Sequence, residues 1–81
     1  MAAFAKNEAE IADRVSRYLK AELKRADVTY AGLAERLAKH GLKTETADSI
    51  KAKLMRGTFP ATFLLASLAA LESDGVRLAD V

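Results

Sequence analysis

The stretch that decides the fold is Thr29-Tyr30-Ala31-Gly32-Leu33-Ala34-Glu35-Arg36-Leu37-Ala38-Lys39-His40-Gly41-Leu42. Leu33 and Leu37 stand four apart with Ala34 beside them, the spacing of one buried helical stripe. Thr29 occupies an N-cap position, where its hydroxyl accepts a hydrogen bond from a free N–H of the first turn. Val28 and Leu33 hold the two places of a hydrophobic staple. Gly41 is a left-handed terminator, and His40 in the last turn complements the negative end of the helix dipole. These signals predict a helix over 29–40 that stops at a glycine. Leu42 then tucks back into the core.

Upstream, Ile11, Val15, Tyr18, Leu19, Leu23 and Ala26 recur at spacings of three and four. They predict a first helix over 7–26 with one apolar stripe. Arg14, Arg17, Lys20, Lys24 and Arg25 project from it at other angles, and Asp27 and Val28 form a short connection. Downstream, Thr44 or Thr46 caps a third helix over 46–56, with Ala47, Ile50 and Leu54 on its buried side and Gly57 closing it. Pro60 suits the first turn of a fourth helix, because its missing N–H has no partner there. That helix is read over 60–73, ahead of the Asp74-Gly75 turn. The tail, 76–81, alternates polar and apolar residues and reads as a short strand or a loose helical turn. The expected fold class is all-α: a single domain over 1–81, a compact bundle of four helices containing a helix-turn-helix, with a short C-terminal tail.

A chain of 81 residues with no cysteine and one histidine has neither disulfides nor a Cys/His metal cluster to stabilise it. Its stability must come from helix packing, from oligomerisation, or from both. No cofactor and no metal are expected. There is no glycine-rich phosphate loop, no HExxH and no Ser/His/Asp set in a structural context, and the chain is too short for a deep pocket. It therefore reads as a non-enzyme with no evident small-molecule substrate. Met1 to Glu10 lacks the apolar core of a signal peptide. The apolar run Phe63 to Ala66, broken by Ser67, falls far short of the roughly 20 residues of a membrane span. With no cysteine in use, a reducing, cytoplasmic setting without membrane partners is expected.

The net charge is only +2, but it is unevenly placed. Residues 14–25 and 42–58 are basic blocks, whereas both ends are acidic and 26–41 is neutral. That distribution suits a polyanion-binding face.

The order of these features resembles the phage-repressor-like (XRE-type) helix-turn-helix family. Thr29, Leu33, Ala34 and Leu37 match its first motif helix, with Ala34 as the small residue where two helices cross closely. Gly41-Leu42 matches the turn, and Arg56-Gly57 closes the next helix. Within that group the chain is similar to a family of short bacterial proteins described as a domain of unknown function. Leu19-Lys20-Ala21-Glu22-Leu23-Lys24-Arg25, Val28 to Ala34, and Arg56-Gly57-Thr58-Phe59-Pro60-Ala61-Thr62-Phe63 carry that closer likeness. The connection Leu42 to Glu45 is longer than a repressor turn, and Lys51 and Met55 replace the usual aliphatic and acidic residues.

The resemblance implies DNA binding and transcription regulation, with the third helix entering the major groove. Ser49, Ala52, Lys53 and Arg56 are read as its outward side, with Asp48 at the margin. Thr46, Ser49, Ala52, Lys53 and Arg56 are the candidate recognition residues, and Met55 reads as a partly exposed gap-filler. Arg17, Thr29, Tyr30, Lys43 and Lys51 are candidate phosphate contacts. The fourth helix is apolar nearly all round and must be covered on more than one side. A homodimer joined through Phe63, Leu64, Leu68, Leu71, Val76 and Leu78 is the expectation. The alternative is a protein-interaction module that has the fold without DNA contacts.

Overall fold

The computed structural model describes residues 3–81. Met1 and Ala2, part of the segment read above as lacking a leader, lie outside the described residues. Four α-helices follow one another: α1 Glu8–Ala26, α2 Tyr30–Lys39, α3 Ala47–Arg56 and α4 Ala61–Ala70. A short 3-10 turn, Leu78–Asp80, lies in the tail, and there is no strand among the described residues. The fold is an all-α, four-helix arrangement.

Three of the four helices start where a side chain accepts from a free N–H of the first turn. Asn7 accepts from the Glu10 N–H (2.9 Å), Thr29 from the Gly32 N–H (3.0 Å) and Thr46 from the Ser49 N–H (3.1 Å). Ser49 Oγ accepts in return from the Thr46 N–H (2.8 Å), which completes a capping box. Pro60 stands at the N-cap itself, one position earlier than the first helical turn.

The ends are equally local. Past α1, α2 and α4 the chain turns left-handed, at Asp27, Gly41 and Glu72. In each case the next residue donates back into the last turn: Val28 to Leu23 O (2.9 Å), Leu42 to Leu37 O (3.0 Å) and Ser73 to Leu68 O (2.9 Å). This is the Schellman closure. It corrects the expected end of the fourth helix, which stops at Ala70 rather than Ser73 because Glu72, not a glycine, takes the left-handed position.

The core is formed by Leu19 and Leu23 of α1, Leu33 and Leu37 of α2, Ile50 and Leu54 of α3, and Phe63, Leu68 and Ala70 of α4. α2 packs against both α3 and α4, and α1 packs against α3. Ala34 and Leu42 lie half-buried against this cluster, as the spacing requires.

The α1–α3 crossing is close. A Cβ on Gly57 would stand 2.7 Å from the Ala12 carbonyl oxygen. One turn on, the buried Ser16 hydroxyl donates to Leu54 O, a carbonyl that the end of α3 leaves without a helical partner. The buried face of α1 is therefore centred on Ser16, Leu19 and Leu23, and Ile11 is 43% exposed. The apolar stripe expected on this helix divides, because Ile11, Val15 and Tyr18 turn toward an apolar opening that also contains Leu64 and Val76.

Ser67 is wholly buried in α4, and its hydroxyl has no hydrogen-bond partner among the described residues. Removing an unpaired buried hydroxyl relieves a desolvation penalty and leaves a void smaller than a methyl group. Ser67→Ala is expected to keep stability unchanged or raise it by up to about 1 kcal/mol. Urea unfolding checks this, and a clear loss of stability would mean that the hydroxyl does have a partner.

Candidate nucleic-acid interface

The outward side of α3 consists of Asp48, Lys51, Ala52, Met55 and Arg56, all exposed. Ile50 and Leu54 anchor the opposite side in the core. Two of the expected recognition residues are turned elsewhere. Ser49 Oγ donates to Glu45 Oε1 (2.6 Å), and Lys53 Nζ stands 3.1 Å from the same carboxylate. Lys53 also lies 5.6 Å from the centre of the Phe63 ring. Lys53 is half-buried, and both side chains serve the start of α3 and its contact with α4. Glu45 lies just before the N-cap and meets both side chains where α3 begins. Thr46 is spent on the cap, whereas Ala52 and Arg56 face out.

The phosphate candidates divide too. Lys43 and Lys51 are exposed, Thr29 is exposed with its hydroxyl engaged in capping α2, and Tyr30 packs half-buried against the core. Arg17 pairs with Asp13 one turn earlier (3.1 Å), with both side chains largely in solvent. Such a pair contributes little to stability and opens readily.

A groove of about 440 Å³ runs between α1 and the end of α3. Arg17 and Lys20 line it from α1, and Met55 and Arg56 from α3. The two basic blocks thus meet in space at this groove. Other residues of the α1 block are committed to different tasks. The Arg14 guanidinium donates to the carbonyls of Phe4 and Val81 (2.9 Å from Nε to Val81 O) and lies 4.0 Å above the Phe4 ring. Arg25 pairs with the nearly buried Glu22 beside Tyr18. Burial first, and the Glu22 carboxylate second, push the Tyr18 phenol above its ordinary value, so it stays a neutral donor near neutrality.

The residues expected at a dimer contact also separate. Phe63 and Leu68 are buried in the chain's own core, 2% and 6% exposed, and are removed from that set. Leu64 and Leu71 are half-buried, while Val76 and Leu78 are exposed. The outer side of α4 instead carries Ala61, Thr62, Leu65 and Ala69, with Leu65 67% exposed and no charged residue anywhere in the helix. Sequence reasoning misses Leu65 because an evenly apolar helix gives no periodic signal of which side faces out.

Among the described residues, no group of three or more His, Asp or Glu is placed to hold a metal ion, and no helix is long and apolar enough to cross a membrane. No curated protein and no solved structure matches the chain. Residues 11–76, from the first turn of α1 to the tail beyond α4, match the family described as Domain of unknown function (DUF6471), and the chain belongs to that family.

Proposed function

We propose that this chain binds double-stranded DNA as a homodimer and acts as a small transcriptional regulator, with α2 and α3 serving as a repressor-like helix-turn-helix. One observation carries the reading: Arg17 and Lys20 of α1 and Arg56 of α3, from separate sequence blocks, line a single groove. Such a cluster beside an exposed helix suits a duplex, because Lys and Arg bind phosphates while the helix enters the major groove. Lys43 and Lys51 add exposed positive charge from the same block as α3.

The second copy is proposed to sit on α4. Around Leu65 the exposed side reads Ala61, Leu65, Ala69, equal steps of four in both directions. An antiparallel copy would place its own Leu65 between the two alanines, the self-complementarity that a two-fold contact needs. The interaction-module reading draws support from the ion pairs, since Glu45 neutralises Lys53 and Asp13 neutralises Arg17.

The test is fluorescence anisotropy with labelled duplexes over a salt series. Wild type should bind more weakly as salt rises, and Arg17→Ala, Lys20→Ala and Arg56→Ala should each flatten the logarithmic salt slope by about one per protomer. If wild type binds no duplex even at low salt, the interaction module becomes the better account.

A further inference from the structure

At 74%, Met55 is the most exposed large apolar side chain among the described residues. It does not fill a gap. It projects from the middle of the outward side of α3, one turn after the exposed Ala52, with Lys51 and Arg56 on the flanks. The polar side chains that could have read bases beside it, Ser49 and Lys53, are held by Glu45 on the other side of the helix. Past Asp48 in the first turn, the centre of this surface therefore has no hydrogen-bonding group to offer.

A helix side with an apolar centre and basic edges fits one feature of duplex DNA. In the major groove the apolar group that a base edge presents is the C5-methyl of thymine, and apolar side chains recognise it by contact. The basic edges meet the phosphates that border the groove. An apolar protein partner would not call for Lys51 and Arg56 beside the methionine, nor for Arg17 and Lys20 across the adjoining groove. Resting on the DNA-binding reading above, we propose that Met55, with Ala52, is a specificity-determining contact to thymine methyl groups, so that each half-site carries an A·T pair under the centre of α3.

The experiment uses the intact protein and a duplex selected by it from a random pool. Each thymine of the half-site is replaced in turn by deoxyuridine, which removes the methyl and leaves every hydrogen-bonding group in place. At one or two positions wild-type affinity should fall about fourfold, the effect of un-burying one methyl-sized group. Met55→Ala should bind the parent duplex correspondingly more weakly and be indifferent to deoxyuridine at those positions. Met55→Leu should restore sensitivity. Because the side chain is exposed, all three proteins should melt alike, which separates recognition from folding. If wild type binds tightly but tolerates deoxyuridine everywhere, the methyl contact is wrong and DNA binding stands. If Met55→Ala keeps the full deoxyuridine penalty, or binds duplex as well as wild type, another residue meets the base and the assignment to Met55 fails. If wild type binds no duplex at low salt, this proposal and the reading beneath it fall together.

Discussion

Replacing Gly57 with alanine is expected to destabilise the fold by about 3 kcal/mol, adding the left-handed backbone penalty of about 1–2 to an overpacking cost of about 1–3. Gly57 has φ +73°, and a Cβ there would meet the backbone carbonyl of Ala12, an obstacle that no rotamer change removes. The only relief is to push α1 away from α3, which also breaks the bond from the Ser16 hydroxyl to Leu54 O. For a domain of this size the melting temperature should drop by roughly 10–25 °C. Gly41→Ala separates the two contributions. Gly41 is left-handed as well, at φ +92°, but nothing among the described residues lies within 4 Å of the place a Cβ would take there. It should therefore show the backbone penalty alone, about 1–2 kcal/mol. Equal losses at the two glycines in thermal unfolding would show that α1 and α3 do not approach as closely as described.

The second large effect is at Phe63. Its ring is 2% exposed, meets Phe59 edge-on at 5.1 Å between centroids, and touches the core shared by all four helices. Phe63→Ala should lower stability by about 3–5 kcal/mol. That loss should be the same at every protein concentration once the protein is monomeric, because the cavity forms inside one chain. Leu65→Ala is the counterpart. Its side chain is 67% exposed, so monomer stability should stay within about 0.5 kcal/mol of wild type. If α4 is the dimer contact, sedimentation should instead show the Leu65 variant dissociating at higher concentration than wild type. A Phe63 variant that folds normally but fails to dimerise would reverse the two assignments.

Helix positions are legible in the sequence because their signals are local. Thr29, Thr46, Gly41 and Gly57 act on their own turn, and each does so in the structure as its residue type requires. The misread end of α4 has the same origin. Glu72 adopts a conformation that favours glycine, and nothing within a few residues announces it. Which side of a helix is buried is less legible, because it depends on neighbours distant in the chain. The α1 stripe divides since Gly57 lets α3 come close at Ala12 and Ser16, drawing those small residues inward and leaving Ile11 at the edge. On α3, Ser49 and Lys53 flank the buried side, roughly 100° and 60° from Ile50 at 3.6 residues per turn, and a single carboxylate just before the helix, Glu45, holds both. The resemblance asks for polar residues on the outward side, whereas the angular position of these two sets them beside the core.

The ends of α3 and α4, closed locally, are also tied from outside those helices. Ser16 of α1 donates to the last turn of α3, and the Arg36 guanidinium of α2 donates to Ala70 O at the end of α4 (3.0 Å). α4 has no basic residue in its own last turn, so α2 supplies the positive charge that its dipole favours there. A local closure on its own can fray alone; one that a neighbouring helix also holds frays less freely, because that bond must open as well. Amide protons in the last turns of α3 and α4 should consequently exchange with solvent at rates set by opening of the whole bundle, as one cooperative unit.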